Sequence, residues 1–129
     1  MTEIVGTGID LIEVERVKAA LERPATGARF RARVFTEREI AYCESRGRGR
    51  FQSYAARFAA KEAAMKALGT GRSQGVLWRE IEVVRHGGPP QLRFHGTAAA
   101  RFASLGATRA LLSLTHAESL ALAQVLFLS

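Results

Sequence analysis

Residues 51–68 read FQSYAARFAAKEAAMKAL, and this stretch decides the fold that the sequence predicts. It contains neither Gly nor Pro, and it is rich in Ala, the residue with the highest helix propensity. Gly69 follows at once and is a natural C-cap for a helix. The stretch therefore predicts one long helix, around which the other elements pack.

This helix carries a carboxylate on the side that we expect to face the core. With Phe51 at zero and a turn of 100° per residue, Phe58 and Met65 fall within about 60° of it, and Glu62 falls at about 20°. A buried carboxylate needs a cation, because leaving it unpaired is costly. Two partners stay open. One is Lys66, four residues later. The other is a divalent metal such as Mg²⁺, which takes one or two protein carboxylates and adds water and phosphate.

The segments before this helix predict one strand and two helices. In chain order we expect a strand over Glu3–Ile9 ending at Asp10, a helix over Ile12–Glu22, an irregular basic segment over 24–34, and a helix over Glu37–Ser45. Thr36 and Glu39 have the spacing of a capping box at the start of the last helix.

The segments after the long helix predict four strands and one short helix. Two strands joined by a hairpin-like turn come first, then a helix capped by Thr97, then two more strands: Ile81–Val84, Gln91–Phe94, Ala110–Thr115 and Leu120–Leu128. The order predicts a single α+β domain over residues 1–129, with a mainly antiparallel sheet packed around the long helix.

Composition narrows the class of protein. The chain has 129 residues, of which 47% are hydrophobic, enough for a core. Its single cysteine, Cys43, excludes an intrachain disulfide and a cysteine-based zinc site. The N-terminal residues lack a signal-peptide pattern, and the longest apolar run is too short to span a bilayer. We therefore expect a cytoplasmic protein with no membrane partner.

The net charge of +7 comes from one part of the chain, since residues 23–72 hold 12 Lys or Arg and 4 Glu. Such a basic block suggests an anionic partner, which is nucleic acid, an acidic protein or a phosphate-rich small molecule. The alternatives are a merely solvated basic face and a basic nucleic-acid-binding domain without catalysis, for which the sequence shows no aromatic-rich or zinc-finger signature.

A second carboxylate lies at the predicted end of the first strand. Asp10 is either a helix N-cap or a partner of Glu62 in binding a metal. Lys66 extends from Glu62 towards the glycine-containing segment 69–71, and glycines let backbone approach phosphate closely. From the residues alone, these features indicate a site for a metal and a phosphate.

Four motifs in this order carry a resemblance to a known family. They are Gly8-Ile9-Asp10 with Arg16, the run Arg57–Lys66, Gly69-Thr70-Gly71, and Ser113–His116. With them the chain resembles holo-acyl-carrier-protein synthase, the short bacterial class of 4′-phosphopantetheinyl transferases. The resemblance spans nearly the whole chain, and it implies the 4′-phosphopantetheinyl transferase fold.

The resemblance also implies an activity and its partners. A member transfers 4′-phosphopantetheine from coenzyme A to a serine of apo acyl carrier protein, releases adenosine 3′,5′-bisphosphate, depends on Mg²⁺ and serves fatty acid biosynthesis. It forms a homotrimer with its active sites at subunit interfaces, and it needs no nucleic acid.

Roles for individual residues follow from the same resemblance. Asp10 and Glu62 match the metal ligands, and Glu62 (directly or through a water) competes with His116 as the base that takes the serine proton. Met65 stands at a position where the family often has a Ser that can contact coenzyme A. Lys66 matches a residue of catalysis and phosphate binding, and Arg16 matches one of carrier docking. The residues that match coenzyme A contacts are Arg57, Lys61, Gly69, Thr70, Gly71 and Pro90. Arg29 and Arg33 are not motif positions; as part of the basic block, they would help to dock an acidic carrier.

Overall fold

The computed structural model describes residues 2–69 and 75–129. Ten helices and strands follow one another in these residues: β1 Ile4–Glu13, α1 Val14–Glu22, α2 Gly27–Val34, α3 Glu37–Glu44, α4 Arg50–Leu68, β2 Ile81–Val84, β3 Gln91–Phe94, α5 Gly96–Ser104, β4 Arg109–His116 and β5 Leu120–Leu128. None of the helices in this part of the chain is both long and apolar enough to cross a membrane.

The strands form two antiparallel sheets. The larger sheet has the order β1-β5-β4, and the smaller one is the β2–β3 hairpin. One face of the larger sheet packs on α4, and it presents Ala121, Ala123, Val125 and Phe127 of β5, all of them fully buried. The prediction of an α+β fold built around a long helix is confirmed.

Small residues let α4 approach β1 very closely. A β-carbon at Gly8 would overlap the carbonyl oxygen of Ala63, and one at Gly6 would lie 2.6 Å from the carbonyl oxygen of Ala67. The face of α4 that meets the sheet is lined by buried alanines. This contact fixes β1 against the C-terminal part of α4, and therefore fixes the neighbourhood of Asp10.

The long helix and its neighbour α3 match the predictions from the sequence. Helix α4 ends at Leu68, and the following Gly69, with a φ of 75°, has the left-handed conformation of a C-cap. At α3, Thr36 accepts from the Glu39 N–H, and the Glu39 side chain accepts from the Thr36 N–H, which completes the predicted capping box. The two hairpin strands and the two C-terminal strands are also confirmed.

Three local predictions were wrong. Strand β1 runs to Glu13, because pairing with β5 continues to Leu120, so α1 begins at Val14. The segment expected to be irregular contains α2, which buries Gly27 and Val34 while alternating arginines mask its helical period. Helix α5 begins at Gly96, with His95 rather than Thr97 at the N-cap position.

Candidate active site

Asp10 lies on the α4 side of the larger sheet. Its residue pairs with Ala123, which is buried on that side, and directly paired residues of antiparallel strands share a face. The Asp10 side chain is 18% exposed. Strand β1 therefore does not end at Asp10, and of the two roles that the sequence left open for this residue the helix N-cap is excluded, because Glu13 occupies that position. The Asp10 carboxylate is directed to the long helix.

Lys66 of α4 meets this carboxylate. Its Nζ lies 3.2 Å from Asp10 Oδ1 and donates to the Ile9 carbonyl oxygen at 2.9 Å. A helical side chain leans towards the N-terminus of its helix, which brings the lysine back over the preceding turn. That turn carries Glu62, so Asp10, Lys66 and Glu62 belong to one neighbourhood between β1 and α4.

Glu62 is half-buried, and it is not the most buried charge of its motif. The prediction from helical periodicity placed it in the middle of the core face, whereas the fully buried charged residue is Lys61. Periodicity erred because it followed the aromatic residues of α4, while the deepest face consists of alanines against β1.

Lys61 is completely enclosed. Its Nζ lies 2.7 Å from Glu39 Oε1, with both side chains at 0% exposure, and it donates to the carbonyl oxygens of Trp78 and Ile81. Burial lowers the pKa of Lys61, and the Glu39 carboxylate opposes that effect. All three ammonium protons have acceptors within the protein. The prediction that Lys61 binds a phosphate is therefore corrected, because it has no proton and no exposed surface left for one.

Arg57 is also directed inward. It is 4% exposed, and its guanidinium lies 4.0 Å from the centroid of the Tyr42 ring on α3. Its Nη1 is 3.5 Å from the Ser53 carbonyl oxygen. This packing joins α3 to α4, so the geometry of Arg57 does not support the predicted contact with coenzyme A.

The end of α4 is held by a residue that sequence reasoning did not identify. Arg101 of α5 donates from Nε to the Leu68 carbonyl oxygen at 2.9 Å. The contact joins residues that are 33 positions apart in the chain, so no local sequence pattern predicts it. Of the predicted glycine-containing segment, Gly69 is the C-cap, while Thr70 and Gly71 lie outside the described residues.

The structure does not bring His116 to this neighbourhood within one chain. His116 ends β4 opposite Ala121, which pairs on its other side with Ile12 of β1. Two strand spacings and two residues along the sheet then separate the Cα atoms of His116 and Asp10 by about 12 Å. Pro90 is also remote along the chain, at the end of the β2–β3 turn, where it is half-buried.

Exposed arginines lie on α1, on α2 and in the connection between them. Arg29 and Arg33 lie on one side of α2, and with Arg23 they line a depression of about 280 Å³ that also includes Phe30. Arg16 is exposed on α1. The structure thus brings the predicted docking residues Arg29 and Arg33 together, and it adds Arg23, which sequence reasoning missed.

A second buried carboxylate lies beside the hairpin. Glu82 accepts from Thr36 Oγ1 at 2.7 Å, and it lies 3.1 Å from His95 Nε2. Burial acts to raise the pKa of Glu82, but these hydrogen bonds outweigh it, and the net pKa lies below its ordinary value of 4.5. Glu82 therefore joins the hairpin to the start of α3 in its charged form.

Among the described residues, no group of three or more His, Cys, Asp and Glu side chains is placed to hold a metal. Asp10 and Glu62 would supply only two protein ligands. Two carboxylates suit Mg²⁺, which commonly completes its coordination with water and substrate phosphate. A structural zinc site, which needs four protein ligands, is a different arrangement.

Comparison with known proteins identifies a family. The family model described as the 4′-phosphopantetheinyl transferase superfamily matches residues 6–124. The chain is 49% identical over 124 residues to the holo-[acyl-carrier-protein] synthase of Koribacter versatilis, covering 95% of this chain and 97% of that one.

Two solved structures have the same fold. The holo-[acyl-carrier-protein] synthase of Neisseria meningitidis aligns with a TM-score of 0.82 at 31% identity, covering 97% of this chain and 98% of that one. The synthase of Bacillus anthracis, in complex with CoA (3′,5′-ADP), aligns with a TM-score of 0.78 at 34% identity, covering 98% and 97%.

Proposed function

Because this chain belongs to the 4′-phosphopantetheinyl transferase superfamily, we infer that it transfers the 4′-phosphopantetheine group of coenzyme A to a serine of apo acyl carrier protein. The observation that carries this conclusion is the family match over residues 6–124, together with relatives named holo-[acyl-carrier-protein] synthase. The chain is therefore an enzyme, and its products are holo carrier protein and adenosine 3′,5′-bisphosphate.

The reaction sets two demands on the protein. The serine oxygen forms a bond to the β-phosphorus of coenzyme A, and the bond from that phosphorus to the bridging oxygen breaks. Adenosine 3′,5′-bisphosphate leaves with the electron pair, and the serine proton goes to a base. Transfer of this kind depends on positioning and charge neutralisation more than on covalent participation by the protein. A site for it needs cations near the pyrophosphate and a proton acceptor near the serine.

Lys66 meets the first demand. Its ammonium is held at Asp10 and the Ile9 carbonyl, yet its side chain is 56% exposed, so a phosphate can approach it. We propose that Lys66 stabilises the negative charge of the leaving phosphate. Lys61, which has no exposed surface, takes no part in that contact.

We propose that Asp10 and Glu62 hold Mg²⁺. The Asp10 carboxylate is directed to α4, and Lys66 connects it to the turn that carries Glu62. The donor set fits the ion, because both ligands are carboxylates and both keep some exposure for water and phosphate. The ion would neutralise the oxygens of the pyrophosphate.

For the second demand, we propose Glu62 as the base that takes the serine proton. It lies in the same neighbourhood as Lys66, and its half-buried carboxylate can accept a proton directly or through a water. Within one chain, His116 lies about 12 Å from Asp10 by strand spacing, so it would need the site of a neighbouring subunit to act.

The carrier protein would bind at the arginines of α1 and α2. Arg16, Arg23, Arg29 and Arg33 are exposed, and three of them surround one depression. Acyl carrier proteins are acidic, and complementary charge speeds encounter between partners. The half-buried Phe30 in the same depression offers an apolar contact among the charges.

We also propose that the enzyme is a homotrimer in the cytoplasm. The face of the larger sheet turned away from α4 exposes large apolar side chains, namely Ile9 at 57%, Leu11 at 60%, Leu111 at 42% and Leu120 at 40%. Large apolar side chains exposed on one face of a sheet are typical of a protein–protein interface. The surface supports self-association, and the number of three subunits and the location rest on the family resemblance.

The experiment is to incubate the purified chain with coenzyme A, Mg²⁺ and an apo acyl carrier protein, and then to measure the mass of the carrier by mass spectrometry. We expect the mass to rise by one phosphopantetheine group, and a carrier whose acceptor serine is replaced by alanine to stay unchanged. Unchanged masses across several apo carriers would refute the proposed function. Tight, salt-sensitive binding to nucleic acid without transfer would favour the alternative of a basic binding domain.

A further inference from the structure

Glu39 and Lys61 form a buried network that reaches four parts of the chain. Glu39 Oε1 accepts from the Thr36 N–H at 2.9 Å and from Lys61 Nζ at 2.7 Å, and Oε2 accepts from the Val83 N–H at 2.8 Å. The carboxylate thus binds the start of α3, the middle of α4 and strand β2 at the same time.

Lys61 extends the network to the turn before β2. Its other two protons go to the carbonyl oxygens of Trp78 and Ile81, which border the 3-10 turn Trp78–Glu80. The Phe58 ring of α4 stacks on the Trp78 ring with their centroids 5.0 Å apart. The turn and the first residue of the hairpin are therefore held directly against α4.

Stability alone does not explain such a pair. A buried ion pair stabilises a fold no more than well-packed apolar residues of similar volume, because both charges lose their hydration. What the pair adds is a fixed geometry, since every one of its outer hydrogen-bond partners is a backbone atom. This fixed geometry matters because Lys61 immediately precedes Glu62, and because the turn of the hairpin that it holds ends at Pro90.

We propose that Glu39 and Lys61 are positioning residues for the transfer reaction. They hold the Trp78–Glu80 turn and the β2–β3 hairpin against α4 in the arrangement that coenzyme A requires. This inference rests on the proposed function. It assigns the Lys61 side chain to the placement of the coenzyme A site, and not to contact with the substrate.

The test is the double variant Glu39→Gln/Lys61→Met, compared with Lys61→Met alone. The single variant leaves a carboxylate buried without its cation, so its melting temperature should fall most. The double variant removes both charges, and the single oxygen of the introduced glutamine can still accept from one of the two backbone N–H groups, so its melting temperature should recover in part. The backbone carbonyls of Trp78 and Ile81 nevertheless lose their tether in both variants.

Kinetics then separate positioning from stability. Because misplacement of a binding site weakens substrate engagement, we expect the KM of the double variant for coenzyme A to rise about tenfold, with a much smaller change in kcat. The control is Val17→Ala, a cavity in the buried face of α1 that takes no part in the network. It should lower the melting temperature and leave this KM unchanged. A double variant with the parental KM would overturn the proposal.

Two further measurements do not depend on transfer. Amide hydrogen exchange at residues 75–84 should accelerate in the double variant and not in Val17→Ala, and calorimetry should show the same loss of affinity for coenzyme A. If the parent bound coenzyme A but modified no carrier, the proposed function would fail while these measurements still decided the positioning role. Unchanged exchange, or a parent that binds no coenzyme A, would contradict the positioning role itself.

Discussion

Replacing Lys66 with methionine should separate activity from stability. The substitution keeps an unbranched chain of similar length on α4 and removes only the ammonium that contacts Asp10 and the Ile9 carbonyl. If Lys66 serves the reaction, the loss should appear in turnover. If it serves the fold, the loss should appear in unfolding.

The structure sets the size of the two effects. The Lys66 side chain is 56% exposed, and exposed ion pairs contribute about 0–1 kcal/mol to the free energy of unfolding. For a domain of this size, the melting temperature should therefore fall by no more than about 5 °C. Removing a preorganised charge that stabilises a reacting phosphate typically lowers kcat by about 10²–10³.

The assay pairs thermal unfolding with the rate at which the apo carrier gains mass. Lys18→Met is the matched control, because Lys18 is another lysine near the surface, its Nζ 5.4 Å from the centroid of the Phe51 ring, and it lies outside the predicted site. We expect this control to keep its rate. A Lys66→Met enzyme with the parental rate, or one that loses its activity only because it unfolds, would refute the role given to Lys66.

Three more predictions concern packing, charge and docking. Gly8→Ala should lower the free energy of unfolding, measured by denaturant titration, by about 3 kcal/mol, because the new β-carbon would overlap the backbone of α4. Gly88→Ala is the control and should change it little, because a β-carbon there would have no other part of the protein within 4 Å. Folding lowers the pKa of Glu82, so its charged form stabilises the fold above about pH 4.5. The parent should therefore melt at a higher temperature than Glu82→Gln near neutral pH, and this difference should shrink as the pH falls through and below that value. Arg29→Glu/Arg33→Glu should raise KM for the carrier and leave KM for coenzyme A unchanged, and added salt should reduce this difference between variant and parent. An equal rise in both KM values would argue against docking at these arginines.

The sequence predicts the parts of this fold that local chemistry determines. The caps of α3 and α4 follow from short-range pairs and from one glycine, so their positions were confirmed. Helix α2 was missed because its apolar positions are few and its arginines alternate, although Gly27, Phe30 and Val34 do lie at helical spacing. Its helical conformation depends on packing that no local pattern reports.

The candidate site could also be predicted from the sequence only in part. The motif predicted Glu62 and Lys66 one turn apart on a single helix, and α4 carries them there. The contact of Lys66 with Asp10 was not predicted, because it depends on how closely β1 approaches α4. Lys61 was misjudged for a similar reason, since its partner Glu39 lies 22 positions earlier and meets it only in the folded core. Long-range contacts of this kind decide which charged side chain of a motif is buried and which is exposed to solvent.

The most direct test of the account is the Mg²⁺ dependence of transfer in the parent and in Asp10→Asn and Glu62→Gln. The rate of mass gain by an apo acyl carrier protein is measured with coenzyme A in excess while Mg²⁺ is raised from zero. We predict that no transfer occurs without a divalent ion, and that the rate in the parent saturates as Mg²⁺ is raised. In both variants, the rate should fall at least about 100-fold, or a much higher Mg²⁺ concentration should be needed to reach it. Full activity of both variants at the parental Mg²⁺ concentration would contradict the assignment of the active site to Asp10 and Glu62.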